Sequence, residues 1–436
     1  MDLVPKLHLS PVILFSHPTG NANVRHAALG LARAGQLAEF WTCLGIDPSA
    51  EWLALLPSSL AAQIRRRAVP AELQPLTHSR PWREIVRLIA SRTGAKFLNR
   101  HETGRFSVDA IYHDLDRAVA RHLAKGKFTG VYAYEDGAAA SFAAARARGL
   151  TTFYDLPIGY WGAARRILLE EAQLQPEWAG TITGNRDSAA KTARKDEELR
   201  SADVVFAATS FTKATLREHP GFTGAVHVVP YGAPEQDTAT PRSHYAEADR
   251  PLRVLYVGSL GQRKGISYLF EAAKITGHSI TLTVIGTKPS EPCKALDRAL
   301  RAHHWIASMP HASVLEQMRH SDVLVFPSLF EGFGLVILEA MAQGVPVITT
   351  PHTAGPDIIT DGEDGFIVPI RDPAAIADRL WELHGDRDRL ASMGAAARAK
   401  ASNFTWKNYE HRLATLVRDH LRPPAASQPL TNRASL

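Results

Sequence analysis

Short runs of Val, Ile and Leu alternate with helical stretches along the whole chain, and this alternation limits the folds open to it. Strands that are apolar on both faces are typical of parallel sheets covered by helices on either side. Such runs occur at residues 11–15, 130–134, 151–154, 203–207 and 226–229, and again at 253–257, 281–285, 323–326 and 345–349. The pattern predicts an α/β fold with two Rossmann-like doubly wound domains. Because such sheets bind ligands outside the carboxyl ends of their strands, we expect the domains to face each other across a cleft.

Composition narrows the class of protein. The chain has 436 residues, 45% of them hydrophobic, which is enough for two or three domains with full cores. Its two cysteines, Cys43 and Cys293, can build no disulfide framework and lie in no cluster with zinc-binding spacing, so we expect a reducing compartment. The sequence has neither the pattern of a signal peptide nor a long uninterrupted apolar stretch. We therefore expect a cytoplasmic protein, either free or at the inner face of the membrane.

Positive charge is concentrated in residues 61–105, which hold ten lysines and arginines against three glutamates. The net charge of the whole chain is +6, so the remainder is close to neutral. A local patch, rather than a basic surface along the chain, argues against nucleic acid as a partner. Within the patch, Trp82, Ile85, Val86 and Ile89 share one face of a predicted helix. Either this face lies on an anionic membrane, or it packs against the core and leaves a basic outer face.

A glycine-rich loop follows the predicted strand at 253–257 and opens a helix. From Gly258 to Gly265 it reads Gly-Ser-Leu-Gly-Gln-Arg-Lys-Gly. Glycine lets the backbone approach a ligand, the helix N-terminus offers free N–H groups, and Arg263 and Lys264 add two cations. The combination suits a diphosphate, which Arg263 can bind in a forked geometry and Lys264 as a point charge. The alternative is an ordinary turn with a solvated Arg-Lys pair.

Two glutamates, Glu331 and Glu339, flank the start of the helix that follows the predicted strand at 323–326. That helix is apolar on every side around Glu339, so this carboxylate is expected to be buried and to need a partner. Vicinal ribose hydroxyls can donate two hydrogen bonds to it, and Glu331 would then face the sugar end of the same ligand. The alternative pairs Glu339 with a nearby arginine or a backbone N–H group.

Weaker candidates follow two strands of the first half. After the first strand, His17, Gly20 and Asn21 can contact a sugar, a phosphate or an acceptor, or can form a plain turn. After the strand at 130–134, Glu135 and Asp136 can act on an acceptor, or can cap the alanine-rich helix that follows. The Asp-x-Asp patterns at 114–116 and 386–388 lie in helical surroundings and are expected on solvated faces.

Together these segments resemble the retaining glycosyltransferases of family four (glycosyl transferases group one), which have the GT-B fold. The resemblance rests on the Gly258–Gly265 loop and on the stretch from Glu331 to Glu339, with its continuation Ala-Met-Ala-Gln-Gly-Val-Pro-Val-Ile. Supporting segments are 199–203 leading to residue 210, 229–232 and 361–369. The resemblance covers residues 195–410 well. It is weak over 21–195, where such enzymes bind their acceptor.

The resemblance implies two domains with different tasks. Residues 1–234 would form the N-terminal, acceptor-side domain, 235–250 a linker, and 251–404 the C-terminal domain that binds a nucleotide sugar. A C-terminal helix at 405–422 would pack back toward the N-terminal domain, and 423–436 would form a disordered tail.

The resemblance also implies how the donor is held. Arg263 and Lys264 would bind its diphosphate, Glu339 its ribose and Glu331 its sugar. Further donor contacts would come from the two loops at Gly258, Gly332, Phe333, Gly334 and Leu335, with Gly20 reaching the phosphate from the N-terminal domain. Such enzymes need no metal and no cofactor, since the nucleotide-diphosphate sugar is a co-substrate.

One family feature is missing. Many members carry a histidine near the donor sugar after the strand that corresponds to 151–154, where this chain reads Phe-Tyr-Asp-Leu-Pro at 153–157. Asp155 is therefore the catalytic candidate in its place. On the acceptor side, His17, Asn21, Glu135 and Asp136 are the candidates.

The chemistry that the resemblance implies is a hexosyltransferase reaction. An acceptor hydroxyl attacks the sugar on the face from which the diphosphate departs, so the configuration is retained, and Arg263 and Lys264 stabilise the charge growing on the leaving group. The acceptor would be a carbohydrate or a lipid-linked molecule, in the biosynthesis of a polysaccharide or another glycoconjugate. Two alternatives stay open: a GT-B sugar-nucleotide epimerase, and a non-catalytic GT-B binding partner.

Overall fold

The computed structural model describes residues 13–47, 49–55, 64–65, 67–184, 186–233 and 250–421. Its strands are Ile13–Ser16 (β1), Leu37–Thr42 (β2), Thr77–Ser79 (β3), Gly130–Tyr134 (β4), Thr151–Leu156 (β5), Val204–Ala207 (β6), Ala225–Val228 (β7), Leu252–Val257 (β8), Ile280–Ile285 (β9), His304–Ile306 (β10), Val323–Phe326 (β11), Val347–Thr349 (β12) and Gly365–Ile367 (β13).

Helices separate most of these strands. The α-helices are Ala22–Arg33 (α1), Trp82–Arg92 (α2), Val108–Leu123 (α3), Ala139–Arg146 (α4), Trp161–Leu174 (α5), Ala189–Arg200 (α6), Ser210–Thr215 (α7), Ile266–Thr276 (α8), Lys294–Leu300 (α9), His311–Arg319 (α10), Leu335–Ala342 (α11), Gly355–Ile358 (α12), Pro373–Gly385 (α13), Arg387–Ala401 (α14) and Trp406–His420 (α15). Short 3₁₀ helices are Glu51–Leu55, Ala71–Leu76, Lys96–Asn99, Pro176–Thr181, Leu216–Glu218, Gln262–Lys264 and Gly277–Ser279.

The strands form two sheets. The first has the order β3-β2-β1-β4-β5-β6-β7, and its β1 runs parallel to β4, with Phe15 opposite Tyr132. The second has the order β10-β9-β8-β11-β12-β13, and all of its pairs are parallel. Two parallel sheets with intervening helices confirm the predicted α/β fold class and its two doubly wound, Rossmann-like parts. The predicted cleft between domains stays a prediction.

The second sheet places two loops side by side. Strands β8 and β11 are neighbours, with Leu255 opposite Leu324, so their carboxyl ends meet at the same edge of the sheet. Beneath the loops that follow, Tyr256 and Phe326 are fully buried, and their rings stack with centroids 6.4 Å apart. The glycine-rich loop and the Glu331 loop therefore rise from one rigid, aromatic base.

Four strands in the structure were not predicted from the sequence: β2, β3, β10 and β13. Three of them have only three residues each, too few to show a period. Strand β2 mixes the buried Phe40 with the half-buried Glu39 and Trp41, so it has no continuous apolar run.

The described residues form two compact units. One holds the chain as far as Phe153, Ser201–Val204 and the chain from Ala414 onward, and the other holds Tyr154–Arg200 and Val205–Leu413. The second sheet lies within the second unit. The predicted domain bounds stay a prediction, since residues 234–249 and 422–436, with most of the linker and the whole tail, lie outside the described residues. Helix α15 falls within the predicted C-terminal helix at 405–422.

Helix α2 corrects one expectation. The alternative that this helix turns its apolar face to the core is wrong, because Trp82, Ile85 and Ile89 are 45%, 45% and 55% exposed. Its buried side carries Glu84 and Ala90 instead. In the part of the chain that the structure describes, no helix has both the length and the hydropathy needed to span a membrane.

Candidate active site

The glycine-rich loop begins at the end of β8 and makes one tight turn before helix α8. Residues Gln262–Lys264 form a 3₁₀ helix, and Gly265 follows in the left-handed conformation with φ of 68°. A Cβ atom on Gly265 would lie 2.0 Å from the carbonyl oxygen of Pro327. Only glycine fits there, both for its φ and for this close approach. The helix predicted to open after the loop is confirmed.

The second loop follows β11 and leads into helix α11. Gly334, at the N-cap of the helix, has φ of 82°, and a Cβ atom on it would meet the Phe326 ring at 2.8 Å. A Cβ atom on Gly332 would lie 1.8 Å from the carbonyl oxygen of Pro157. The Gly-Phe-Gly entry to this helix therefore holds its backbone in a place where side chains do not fit.

Hydrogen bonds tie the two loops together. The carbonyl oxygen of Arg263 accepts from the backbone N–H groups of Leu329 at 2.9 Å and Phe330 at 3.3 Å, and from Ser328 Oγ at 3.2 Å. In return, Arg263 Nη1 donates to the carbonyl oxygen of Phe330 at 2.7 Å. The charged residues at the end of the first loop are thus fixed relative to Glu331 in the second.

Three predicted site residues come together at this junction. Glu331 forms an ion pair with Lys264, and its Oε2 lies 3.3 Å from Arg263 Nη1. Lys264 and Glu331 are 12% and 13% exposed, and Lys264 Nζ also lies 4.8 Å from the ring centroid of Phe326. Burial, with the nearby charge of Arg263, lowers the pKa of Lys264 well below its ordinary value, and burial also lowers the pKa of Arg263. Two cations share one carboxylate, so the cluster has a positive surplus that favours an anionic ligand.

Glu339 lies in the second turn of α11. Most of the helix is buried, as expected, and the Glu339 side chain is half-buried, with 17% of it exposed. Its Oε1 lies 2.9 Å from Nε2 of His311, the first residue of α10, whose side chain is 62% exposed. This hydrogen bond raises the pKa of His311 above its ordinary value. The partner of Glu339 is therefore a histidine at the surface, rather than the arginine or backbone N–H group of the alternative.

In the first unit, His17 and its neighbours form a turn after β1. His17 is buried, its Nδ1 lies 3.0 Å from the backbone nitrogen of Thr19, and its ring lies 4.6 Å from that of Tyr134. Burial lowers the pKa of His17 to about 4, so the ring is neutral at neutral pH. Arg25 donates to the carbonyl oxygen of Gly20. Asn21 is exposed at the N-cap of α1, where its side chain makes no capping hydrogen bond.

Glu135 and Asp136 follow β4 and are half-buried. Asp136 has φ of 71°, a conformation that is uncommon outside glycine. At the start of the next helix, α4, the backbone N–H groups of Ala140 and Ser141 donate to the carboxylate of Asp116 at 2.7 and 2.9 Å. Asp116, which lies in α3, therefore caps α4 at these two N–H groups. The alternative had given this capping role to Glu135 and Asp136.

The two Asp-x-Asp patterns differ in their exposure. The expectation of a solvated face is wrong for the first, because Asp116 is buried and Asp114 accepts from Arg80 at 3.2 Å and lies 3.3 Å from Arg83 Nε. It is confirmed for the second, in which Asp386 and Asp388 are exposed. Asp386 also caps helix α14 by accepting from the N–H group of residue 389 at 2.8 Å.

Asp155 lies inside β5, which extends two residues beyond the predicted strand. Its side chain is buried. Burial of Tyr409 in α15 raises the pKa of that residue well above its ordinary value, and the nearby charge of Asp155 is the second cause. Both residues belong to the second unit. The negative charge of Asp155 thus helps to keep the Tyr409 phenol protonated, while the catalytic role of Asp155 stays a prediction.

Sequence reasoning missed two groups that hold the loops. Thr209 Oγ1 and Thr212 Oγ1 lie 3.0 and 3.3 Å from the carbonyl oxygen of Gly332 and fix the second loop. Behind the first loop, the fully buried Glu171 accepts from Gln262 Nε2 at 2.7 Å. A position directly after β6 could have drawn attention to Thr209. Nothing local marks Glu171, because its partner lies 91 residues away.

The chain is similar in sequence to known glycosyltransferases. The profile of the family "Glycosyl transferases group 1" matches residues 237–400. The D-inositol 3-phosphate glycosyltransferase of Corynebacterium jeikeium is 28% identical over 265 residues, which are 55% of this chain and 62% of the relative. The capsular polysaccharide biosynthesis glycosyltransferase CapM of Staphylococcus aureus is 32% identical over 177 residues, 38% of this chain and 46% of the relative.

A solved structure extends the likeness to the whole fold. Anabaena HepE in complex with UDP superposes with a TM-score of 0.61 at 15% identity, covering 94% of this chain and 100% of HepE. The curated relatives are matched over only about half to three fifths of their own length. The fold is therefore GT-B, and residues 237–400 of this chain are similar to the glycosyl transferases group 1 family.

Proposed function

We propose that this protein is a retaining, metal-independent glycosyltransferase of the hexosyltransferase type. It moves a sugar from a nucleotide-diphosphate sugar to an acceptor hydroxyl, in the biosynthesis of a polysaccharide or another glycoconjugate. The observation that carries the proposal is the cluster of Arg263, Lys264 and Glu331 after two neighbouring parallel strands. The named activities of the two curated relatives and the UDP bound to HepE support it.

The donor would displace the ion pairs of the free protein. A diphosphate offers Lys264 and Arg263 more negative charge than Glu331 alone, so Lys264 moves from the carboxylate to the phosphates. Glu331 is then free to accept hydrogen bonds from sugar hydroxyls. Because both cations are largely withdrawn from water, each interaction with the leaving diphosphate is stronger than it would be in bulk solvent. Charge that grows on the diphosphate during transfer is therefore stabilised where it develops.

The remaining contacts follow the loops. Backbone at Gly258 and at residues 332–335 would lie along the donor, and Glu339 would exchange His311 for the vicinal hydroxyls of the ribose. Attack by the acceptor hydroxyl on the face that the diphosphate leaves retains the configuration and requires no protein nucleophile. Asp155 would be the further catalytic contact. Gly20 would reach the donor phosphate, and the acceptor contacts would come from His17, Asn21, Glu135 and Asp136.

The acceptor and the location are part of the same proposal. We propose a carbohydrate or lipid-linked acceptor, reached at the inner face of the cytoplasmic membrane by peripheral contact. The relative CapM is named for capsular polysaccharide biosynthesis, which supports an acceptor of this kind.

The test is donor turnover. The protein is incubated with UDP-, GDP- and ADP-sugars, with and without glycan and lipid extracts, and release of the nucleoside diphosphate is measured. The proposal predicts release with one donor, an acceptor-dependent product of retained configuration, and loss of turnover in Glu331→Ala. The control, Glu316→Ala, removes an exposed glutamate of α10 in the same unit and should keep full activity.

Other outcomes would contradict the proposal. A new sugar epimer formed without acceptor would assign the protein to the epimerases. Nucleotide binding without turnover of any donor would favour a non-catalytic partner.

A further inference from the structure

Helix α2 exposes a stripe of apolar side chains and buries a charged one. The exposed stripe consists of Trp82, Ile85 and Ile89, whose spacing of three and four residues places them on one face. The opposite, buried face carries Glu84, which is only 3% exposed. A surface helix of a water-soluble domain normally shows the reverse arrangement.

The buried face holds this orientation through ion pairs. Arg87 binds Glu84 with both nitrogens of its fork, Nε at 2.7 Å and Nη2 at 2.6 Å, and Arg67 Nη2 lies 3.1 Å from the same carboxylate. Rolling the apolar stripe inward would break the pair with Arg67, which lies outside the helix, whereas the Arg87 pair lies within α2 and would move with it. The ion pair with Arg67 therefore helps to keep Glu84 on the inner side of the helix.

Two more large apolar side chains are exposed in the chain that follows the helix. Phe97 is 68% and Val108 is 55% exposed. The segment between them is tied to α2, because Asn99 Nδ2 donates to the carbonyl oxygen of Arg87 at 3.1 Å and the ring of Phe106 lies 5.9 Å from that of Trp82. We call this set, Trp82, Ile85, Ile89, Phe97 and Val108, the apolar ridge.

Basic residues are numerous in the segment that carries the apolar ridge. Residues 61–105 hold ten lysines and arginines against three glutamates, and Arg92, Arg100 and Arg105 are exposed. The guanidinium carbon of Arg83 lies 4.6 Å from the ring centroid of Trp82. A protein partner of ordinary composition would need many acidic groups to match this charge. An anionic lipid surface supplies both an apolar layer for the ridge and phosphates for the arginines.

We propose that the apolar ridge and its arginine rim dock this protein on an anionic lipid bilayer. Trp82, Ile85 and Ile89 enter the boundary between headgroups and acyl chains, and the arginines bind lipid phosphates around them. This surface supplies the membrane contact of the proposed function, but it lies in the first unit and needs none of the donor-binding residues. Vesicle binding and donor turnover can therefore fail separately.

The experiment is sedimentation of the full chain with vesicles of phosphatidylcholine alone, or with about 30 mol % phosphatidylglycerol, without any donor. We expect binding only to the anionic vesicles, and weakening as salt is raised. Trp82→Ala should lower the partition coefficient at least about tenfold, or about 1.4 kcal/mol. The matched control is Trp381→Ala in α13 of the second unit, which removes a tryptophan of similar exposure, 43%, and should leave binding unchanged.

The result can overturn the proposal in three ways. Equal binding by Trp82→Ala and Trp381→Ala would show that the ridge does not touch lipid, and equal binding to neutral vesicles would remove the role of the arginines. A concentration-dependent dimer that Trp82→Ala abolishes, without vesicle binding by the unsubstituted chain, would assign the ridge to a second copy. Since all ridge positions are exposed, the far-UV spectrum and melting temperature of Trp82→Ala should match those of the unsubstituted protein.

Discussion

Replacing Glu171 by alanine should destabilise the second unit more than any exposed charge change near it. The Glu171 side chain is fully buried, and it accepts from Gln262 Nε2 at 2.7 Å, Tyr268 Oη at 2.8 Å and Arg371 Nε at 2.7 Å. Its removal leaves three donors, drawn from distant parts of the chain, without this acceptor. An unpaired buried polar group costs far more than the net value of the bond that it loses.

The magnitude follows from these contacts. Removing one partner of a buried ion pair costs about 3–5 kcal/mol, and each neutral donor left unpaired about 1–3 kcal/mol. Arg371 is 18% exposed and keeps Glu170 at 3.0 Å, which lowers its share. Because the groups form one network, their costs do not add, and we expect about 3–5 kcal/mol in total for Glu171→Ala. Glu171→Gln, which keeps the shape and an acceptor oxygen, should cost about 1–3 kcal/mol.

The neighbouring Glu170 provides the control. It pairs with the same Arg371, but its side chain is 53% exposed, so Glu170→Ala should cost less than about 1 kcal/mol. The assay is urea unfolding of all three variants, followed by circular dichroism under identical conditions. Equal losses for Glu171→Ala and Glu170→Ala would refute the reasoning, since burial would then have no effect on the cost of the lost charge.

Three further predictions concern the site. Glu339→Gln should weaken binding of the nucleotide sugar by one to two orders of magnitude, about 1.5–3 kcal/mol, as measured by titration calorimetry, and unchanged affinity would contradict the ribose contact. Gly334→Ala should cost about 2 kcal/mol or more of unfolding free energy, because φ is 82° and the new Cβ atom meets Phe326. The control Gly149→Ala, where φ is 68° and the space around the residue is open, should cost only about 1 kcal/mol. Equal costs would contradict the steric argument. The hydrogen bond to Glu339 raises the pKa of His311, so its stabilisation is complete below the unfolded pKa of about 6.5 and is lost as the pH rises through the folded pKa. His311→Ala should therefore cost more stability at about pH 5.5 than at about pH 8.5, and the opposite order in urea unfolding would contradict the pairing.

The fold could be predicted from the sequence because its parallel strands are continuous apolar runs. The strand, loop and helix of each site segment could be predicted for the same reason, since each strand is followed by glycine and charge. The adjacency of β8 and β11 could not, because strand order is not written in a local pattern. The meeting of Arg263, Lys264 and Glu331 follows from that adjacency.

The rest depended on contacts between distant residues. Periodicity identified the apolar face of α2 but not its direction, to which the ion pair of the buried Glu84 with Arg67 contributes. Hydropathy identified α11 as buried, but it could not show that the Glu339 side chain contacts His311. Glu171 carries no signal in its own segment, because its role comes from Arg371, 200 residues away. In each case the decisive partner lies outside the window that a sequence pattern covers.

The central claim is that Lys264 and its neighbours bind a diphosphate, and the most direct test separates the diphosphate from the nucleoside. Affinities of a nucleoside diphosphate and of its parent nucleoside are measured by titration calorimetry for the unsubstituted protein, Lys264→Ala and the control Lys274→Ala, which removes an exposed lysine of α8. We predict that Lys264→Ala lowers the affinity for the diphosphate at least about tenfold, or about 1.4 kcal/mol, with no change for the nucleoside. Equal effects on both ligands, or an effect no larger than that of Lys274→Ala, would contradict the claim.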